Sequence, residues 1–174
     1  DSVRTRAKAL VEAAKDLGEC DFVQQFAAPL PLQVICDMLG VPSSDEQQVL
    51  EWTNVILGVG DPDFGLDLNA LIGAAAGMYE YAQALGNDRL ANPRNDITST
   101  LMHAEVEGQR LSPAEFGSFF ILLAVAGNET TRNALSWGAK LLTDHPDQRE
   151  ALRDDYASLS LKAADEMVRW ASPV

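Results

Sequence analysis

The chain has 174 residues, and its Lys and Arg total 13 against 26 Asp and Glu, which gives a formal net charge of −13. Apolar residues make up 47% of the chain, which is ordinary for a globular protein and too many for a disordered one. The acidity argues against nucleic acid and anionic membrane surfaces as partners, because both require a cationic face, and the longest apolar run, 119–126, is far too short to span a membrane.

The predicted elements are helices, because apolar residues recur at helical spacing and alternation of strand type is missing. The first helix covers 3–17 and ends at Gly18. An apolar, buried helix follows, with Pro31 in its first turn and Gly40 as its stop. The sequence therefore predicts an all-α fold.

The next predicted helices are separated by turn residues. Ser44 and Gln47 have the spacing of a capping box and predict the start of a third helix. Loop residues follow over 58–65, and a longer helix is predicted over 68–90. Asp96 is the predicted N-cap of a short helix after that.

A long central helix is the most informative prediction. Ser112, Pro113 and Glu115 form a helix start, with a cap, a first-turn proline and a capping-box acid. The next proline is Pro146, which allows a helix of up to about 31 residues, roughly 45 Å long. Its segment 119–126 is apolar on every side and is expected to run through the centre of the molecule.

The remaining organisation is simple. A last helix is predicted over 161–171 and is closed by Pro173. Neither internal repeats nor low-complexity tracts divide the chain, so residues 1–174 are expected to form a single domain, which the family resemblance described below implies is partial.

Local rules are broken at mid-length of the central helix. Gly127 and Asn128 are poor helix formers, Thr130 and Thr131 are β-branched, and Glu129 places a charge beside an apolar run. Such violations cluster at functional sites.

These residues have two interpretations. In the functional one, Gly127 lets a bulky planar group approach, the Thr130 hydroxyl bonds to the carbonyl of Ala126 and weakens the helix, and Glu129 begins a proton relay. In the alternative, the helix simply leaves the core, and Asn128 and Glu129 turn to solvent.

Glu166 and Arg169 meet on one face of the last helix, at a spacing of three residues. Taken alone, such a pair is ordinarily a solvated surface pair that contributes little.

The combination of motifs resembles a known family. Ala126-Gly127-Asn128-Glu129-Thr130-Thr131 resembles the oxygen-activation motif of the cytochrome P450 haem-thiolate monooxygenases, and Glu166-x-x-Arg169 is similar to their Glu-x-x-Arg motif. Segments 29–42 and 144–148 also resemble bacterial members, in the same order along the chain. The sequence around these motifs is similar to that of actinobacterial sterol side-chain hydroxylases.

The resemblance implies haem b as the cofactor and assigns roles to the central helix. Thr130 would hold dioxygen at the haem and pass protons to it, and Glu129 would supply those protons. Ala126 and Gly127 would lie over the haem face. Glu166 and Arg169 would form a buried structural pair near the proximal side of the haem. The implied walls of the substrate pocket are Leu122, Val125, Ala126 and Val174.

The chain departs from the family where the iron ligand is concerned. That ligand is a cysteine in a Phe-x-x-Gly loop well after the Glu-x-x-Arg helix, whereas Cys20 and Cys36 lie before the central helix, as packed or surface residues. No metal site is therefore expected in this chain, and the two cysteines fit a reducing cytoplasmic compartment. The chain is expected to be the central helical section of the P450 fold, without the small sheet and the ligand loop, and to be inactive by itself.

The functional hypothesis concerns the longer parent protein. The resemblance implies a monooxygenase that hydroxylates a hydrophobic small molecule, such as a sterol side chain, with electrons from NAD(P)H through a ferredoxin reductase and a ferredoxin. The alternatives are a non-catalytic helical fragment that serves as an interaction module, and a helical ligand carrier.

Overall fold

The computed structural model describes residues 2–58 and 67–173, which form helices joined by turns. The helices are α1 (Ser2–Ala14), α2 (Pro29–Leu39), α3 (Glu46–Leu57), α4 (Leu68–Ala91), α5 (Ile97–His103), α6 (Pro113–Asp144), α7 (Pro146–Asp154) and α8 (Tyr156–Ala171). A 3₁₀ turn over Lys15–Leu17 and a π-helical turn over Val23–Ala27 lie between α1 and α2. Strand-type pairing in the described ranges is limited to one bridge between Val106 and Gln109. The all-α prediction is confirmed.

The described residues group into two compact units. One unit lies within Leu32–Gly127, and the other combines the segments before and after it. The single partial domain expected over residues 1–174 stays a prediction. In the described part of the chain, no helix is both long enough and apolar enough to cross a membrane.

Aromatic packing builds the core of the Leu32–Gly127 unit. Phe116 and Phe120 of α6 are fully buried and meet edge to face, with ring centroids 6.1 Å apart. The ring of Phe116 lies against α4 at Gly86, where an added β-carbon would be 3.1 Å from Cδ1 of the ring. Met78 and Met102 fill the space around these rings as fully buried side chains. One face of α6 is therefore fixed in the core.

A buried ion pair ties α2, α4 and α5 together within the same unit. Nε of Arg89 donates to Oδ2 of Asp96 at 2.7 Å, and the two side chains are 3% and 5% exposed. Nη2 of Arg89 donates to the carbonyl oxygen of Gly40 at 2.7 Å. Gly40 has a φ of +72°, and a β-carbon there would lie 2.1 Å from Oδ2 of Asp96. This turn therefore requires glycine, for its backbone conformation and for the close approach of the carboxylate.

Two of the three predicted helix caps are confirmed. Asp96 accepts from the backbone N–H of Ser99 at 2.7 Å. Ser112 and Glu115 form the reciprocal capping box, with the backbone N–H of Ser112 donating to Glu115 Oε2 at 2.9 Å. The capping box predicted at Ser44 is wrong, because the Ser44 hydroxyl donates to Oδ1 of the adjacent Asp45 at 2.7 Å instead of capping α3.

The other predicted boundaries agree in most places. The first helix continues through a 3₁₀ turn to Leu17, and Gly18 has a φ of +69°. The last helix begins at Tyr156, five positions before the predicted start at 161. The loop predicted over 58–65 lies, after Gly58, outside the described residues.

The second unit contains the carboxyl-terminal half of α6 together with α7 and α8. Gly138 of α6 is buried, and a β-carbon there would lie 2.9 Å from Sδ of Met167 in α8. Close packing of α6 and α8 therefore depends on a residue without a side chain. Much of α8 stays open to solvent, including Leu161 at 80% exposure and Trp170 at 57%.

Candidate functional site

The central helix carries its unfavourable run without interruption. α6 is one continuous α-helix over Pro113–Asp144, and the run 127–131 lies near its middle. The run does not break the helix, because long flanking helical segments offset the low propensity of a few residues. The local weakening expected at Thr130 stays a prediction. The predicted bond between the Thr130 hydroxyl and the Ala126 carbonyl stays a prediction.

The two sides of α6 differ sharply in burial. Phe116, Phe120 and Ala124 are fully buried, whereas Leu122 is 60% exposed and Ala126 is also exposed. The expectation that 119–126 would be covered on every side is therefore wrong for this chain. Only the side that faces the aromatic core is covered, because α6 packs there through one arc of its surface.

The open side of α6 carries most of the predicted site. Leu122, Ala126 and Thr130 follow one another at intervals of four residues, so they share one helix face. Val125 is half-buried beside them, and Thr130 is half-buried. Val174, the fourth predicted wall of the substrate pocket, lies outside the described residues. The helix thus brings a large apolar, a small and a hydroxyl side chain into one line.

Gly127 does not lie on the open side. An added β-carbon would be 2.8 Å from Cδ1 of Ile35, a residue of α2 that packs on the aromatic core. The space left by the missing side chain is therefore filled by α2. The predicted approach of a planar group to Gly127 stays a prediction, and only the backbone of Gly127 would be available for it.

Glu129 is held by its own helix. Its Oε2 forms a close ion pair with Nη2 of Arg132, and its Oε1 accepts from Nδ2 of Asn133 at 3.1 Å. The Glu129 and Arg132 side chains are 28% and 23% exposed, so the pair is partly shielded from water. Glu129 therefore does not extend freely into solvent. Sequence reasoning missed both partners, although their spacings of three and four residues were visible.

Asn128 is a second residue whose environment the sequence analysis misjudged. Its side chain is fully buried, and neither Nδ2 nor Oδ1 has a hydrogen-bond partner among the described residues. A buried amide without partners is rare in folded proteins. The signal was present, since Asn128 follows the buried Ala124 by one helical turn.

Glu166 and Arg169 pair as the spacing predicts. Nε of Arg169 donates to Oε2 of Glu166 at 2.6 Å, and Nη2 donates to Oε1. This hydrogen bonding lowers the pKa of Glu166 and raises that of Arg169. The side chains are 59% and 65% exposed, so the expected burial is wrong in this chain.

A cavity of about 440 Å³ lies away from Thr130, within the second unit. Leu142, Leu152, Met167 and Trp170 contribute apolar walls, and Glu166 also lines it. Neither Glu129 nor Thr130 lines it. Among the described residues, no three His, Cys, Asp or Glu side chains gather as metal ligands; Cys20 is exposed and Cys36 is buried in α2.

Comparisons with known proteins decide the family. No protein-family model matches the chain. It is 49% identical over 176 residues to the methyl-branched lipid omega-hydroxylase of Mycobacterium tuberculosis, covering 99% of this chain and 41% of that protein. It is also similar to a cytochrome P450 of Mycobacterium marinum solved in complex with pseudoionone, with a TM-score of 0.91 and 37% identity over 98% of this chain and 42% of the other.

The chain belongs to the cytochrome P450 family. Another P450 relative, the steroid C26-monooxygenase of Rhodococcus jostii, is 44% identical over the whole chain and 36% of its own length. The chain therefore spans about two fifths of the P450s it matches, and it corresponds to a helical section of their fold. Haem b is the cofactor of the family.

Proposed function

We propose that the parent protein of this P450 section is a haem-dependent monooxygenase. It would convert a substrate R–H, dioxygen, two electrons and two protons into R–OH and water. The observation that carries this proposal is the open face of α6, where Ala126 and Thr130 lie one turn apart beside a fixed Glu129.

The residues on this face fit a haem. A flat, largely apolar ring requires small or apolar neighbours, and Ala126 and Leu122 supply an exposed surface of that kind. The opposite side of α6 is anchored by Phe116 and Phe120, so the face is presented by a rigid element. Haem b, when bound, supplies the binding and reduction of dioxygen.

Proton handling is the chemistry that this chain offers. The Thr130 hydroxyl can donate one hydrogen bond and accept another, which suits it to pass a proton toward the reacting oxygen. The Glu129 carboxylate is adjacent in sequence and is in contact with solvent through its exposed fraction. Leu122 and Val125 would keep bulk water away from the reacting atoms.

The substrate proposed is a hydrophobic molecule with an unreactive aliphatic carbon. Two of the matched P450s are named for lipid omega-hydroxylation and for monooxygenation at steroid C26. The exposed apolar side chain of Leu122 and the half-buried Val125 are suitable contacts for such a chain. A sterol side chain and a branched lipid chain both meet this description.

The electron supply and location are proposed from the likeness to bacterial members. Electrons would come from NAD(P)H through a ferredoxin reductase and a ferredoxin, in the cytoplasm. A downstream Phe-x-x-Gly-x-x-x-Cys loop in the parent sequence would provide the thiolate ligand that this part of the chain does not carry.

Coupling of electrons to product tests the assigned chemistry. In the full-length parent, Thr130→Ala should divert reducing equivalents from hydroxylated product to hydrogen peroxide, because the hydroxyl that passes protons to the reacting oxygen is missing. Thr131→Ala is a matched control, because it removes the same atoms from the neighbouring residue, which is exposed. Equal coupling in both variants would refute the role of Thr130.

A further inference from the structure

Glu129 is fixed through both of its carboxylate oxygens by residues of the next helical turn. Arg132 forms an ion pair with Oε2, and Nδ2 of Asn133 donates to Oε1 at 3.1 Å. The three side chains are all half-buried, so water competes only partly for these contacts. The arrangement is built within one helix, because spacings of three and four residues place the partners on the same face.

A fixed carboxylate differs from a free one in how it can relay protons. A glutamate on a helix surface ordinarily samples several rotamers, and only some place its oxygens near the adjacent residue. Two donors on separate oxygens restrict it to one position. A proton relay gains from such restriction, because small displacements of a catalytic group reduce its rate strongly.

We propose that Arg132 and Asn133 are positioning residues that fix the Glu129 carboxylate for proton delivery to Thr130. This inference rests on the proposed monooxygenase function and adds two residues to its machinery. Arg132 acts by charge and orientation, and Asn133 acts by orienting the second oxygen. Neither is required to touch substrate or cofactor.

The test uses the full-length parent enzyme and the variants Arg132→Gln, Arg132→Lys, Asn133→Leu and Glu129→Gln. Measured quantities are product formed per NAD(P)H consumed, the solvent deuterium isotope effect on product formation, haem content and the spectral change on substrate binding. Lys140→Gln is the matched control, because it breaks another ion pair of α6, with Asp144, that is exposed on both sides.

We expect Arg132→Gln to lower coupling by about 10-fold and to enlarge the solvent isotope effect, because proton transfer becomes slower when its carboxylate is misplaced. Haem content and substrate binding should stay at the level of the unaltered enzyme. Arg132→Lys should restore most of the coupling, Asn133→Leu should give a smaller loss, and Lys140→Gln should change nothing.

Three outcomes would contradict either the positioning role or the proposed proton relay. Unaltered coupling and isotope effect in both Arg132→Gln and Asn133→Leu, with impaired Glu129→Gln, would overturn the positioning role alone. Unaltered coupling in Glu129→Gln would instead overturn the proposed proton relay. If Arg132→Gln loses haem, the positioning role is tested with Asn133→Leu alone. An unaltered isotope effect in Asn133→Leu would then overturn that role.

Discussion

Ile35 of α2 occupies the place that a side chain at Gly127 of α6 would take, with its Cδ1 only 2.8 Å from the position of such a β-carbon. The glycine of the oxygen-activation motif therefore serves the packing of two helices in this structure. Its neighbours Ala126 and Thr130 have a different role, because they lie toward the open side of α6. One short motif thus combines a packing residue with residues available for chemistry.

The contact between Gly127 and Ile35 predicts a compensating pair of substitutions. Gly127→Ala should lower the free energy of unfolding of the parent protein by about 1 kcal/mol, since overpacking outweighs the gain in helix propensity. Ile35→Val removes Cδ1 and should restore that loss when combined with Gly127→Ala. Chemical denaturation of both single variants and the double variant gives the coupling energy. Strictly additive effects would show that the two residues do not compete for space.

The buried pair of Arg89 and Asp96 predicts a large loss of stability. Asp96→Asn removes the buried counter-charge of Arg89 and leaves only the half-exposed carboxylate of Asp88, so we expect the free energy of unfolding to fall by about 3 kcal/mol. Arg153→Gln is the control, because Arg153 pairs with Asp154 at 71% and 70% exposure. Thermal unfolding of the parent protein measures both. Similar melting temperatures for the two variants would contradict a structural role for the buried pair.

The same pair predicts a pH dependence. Burial acts to raise the pKa of Asp96, but hydrogen bonds from Ser99 and Arg89 outweigh it and hold the pKa below its ordinary value. A carboxyl with a lowered pKa stabilises the fold above its unfolded pKa of about 3.9, and this contribution is lost as pH falls through the folded value. The stability difference between the unaltered protein and Asp96→Asn should therefore shrink below about pH 4. A difference independent of pH down to acid unfolding would argue against ionised Asp96 as its source.

The burial of Asn128 predicts that a charged carboxylate at this position strongly destabilises the fold. Its side chain is fully buried without a partner among the described residues, so Asn128→Asp would place an unpaired carboxylate in the interior. We expect a loss of several kcal/mol, about 3 to 5, or failure to accumulate folded protein. Asn87→Asp, at an exposed position of α4, should change stability little. Equal effects of the two substitutions on the melting temperature would show that Asn128 is accessible to water in the parent.

Substitution of Arg169 tests the role of the Glu-x-x-Arg pair. The pair is formed but exposed in this chain, and the resemblance to the P450 family implies burial near the haem. In the full-length parent, Arg169→Ala should abolish stable haem incorporation, as measured by absorbance per protein. Arg153→Ala again serves as an exposed control. A normal haem spectrum in Arg169→Ala would establish the pair as a surface bridge only.

Local rules predicted the helices and most of their ends. The caps at Asp96 and Ser112 were predictable because the side chain and the backbone groups it satisfies are within three residues of each other. Ser44 failed as a cap because Asp45 competes for its hydroxyl. The early start of α8 at Tyr156 was missed because no side-chain cap marks it: the side chain of Asp155, at the N-cap, accepts no backbone hydrogen bond.

The candidate site was predictable in part. Glu129 and Thr130 stand out because they break helix rules in an apolar stretch, and the partners of Glu129 follow from helical spacing. The packing of Ile35 on Gly127 joins residues far apart in sequence, so no periodicity reveals it. The exposure of Leu122 likewise depends on which elements cover α6, and the sequence of α6 alone does not contain that information.

The central claim is that α6 presents Ala126 and Thr130 to a thiolate-ligated haem in a longer P450. The most direct test is the carbon monoxide difference spectrum of the reduced, full-length parent protein. The account predicts the absorption band of a thiolate-ligated haem, at one haem per chain. A folded full-length protein that binds no haem, or binds it without that band, would contradict the account.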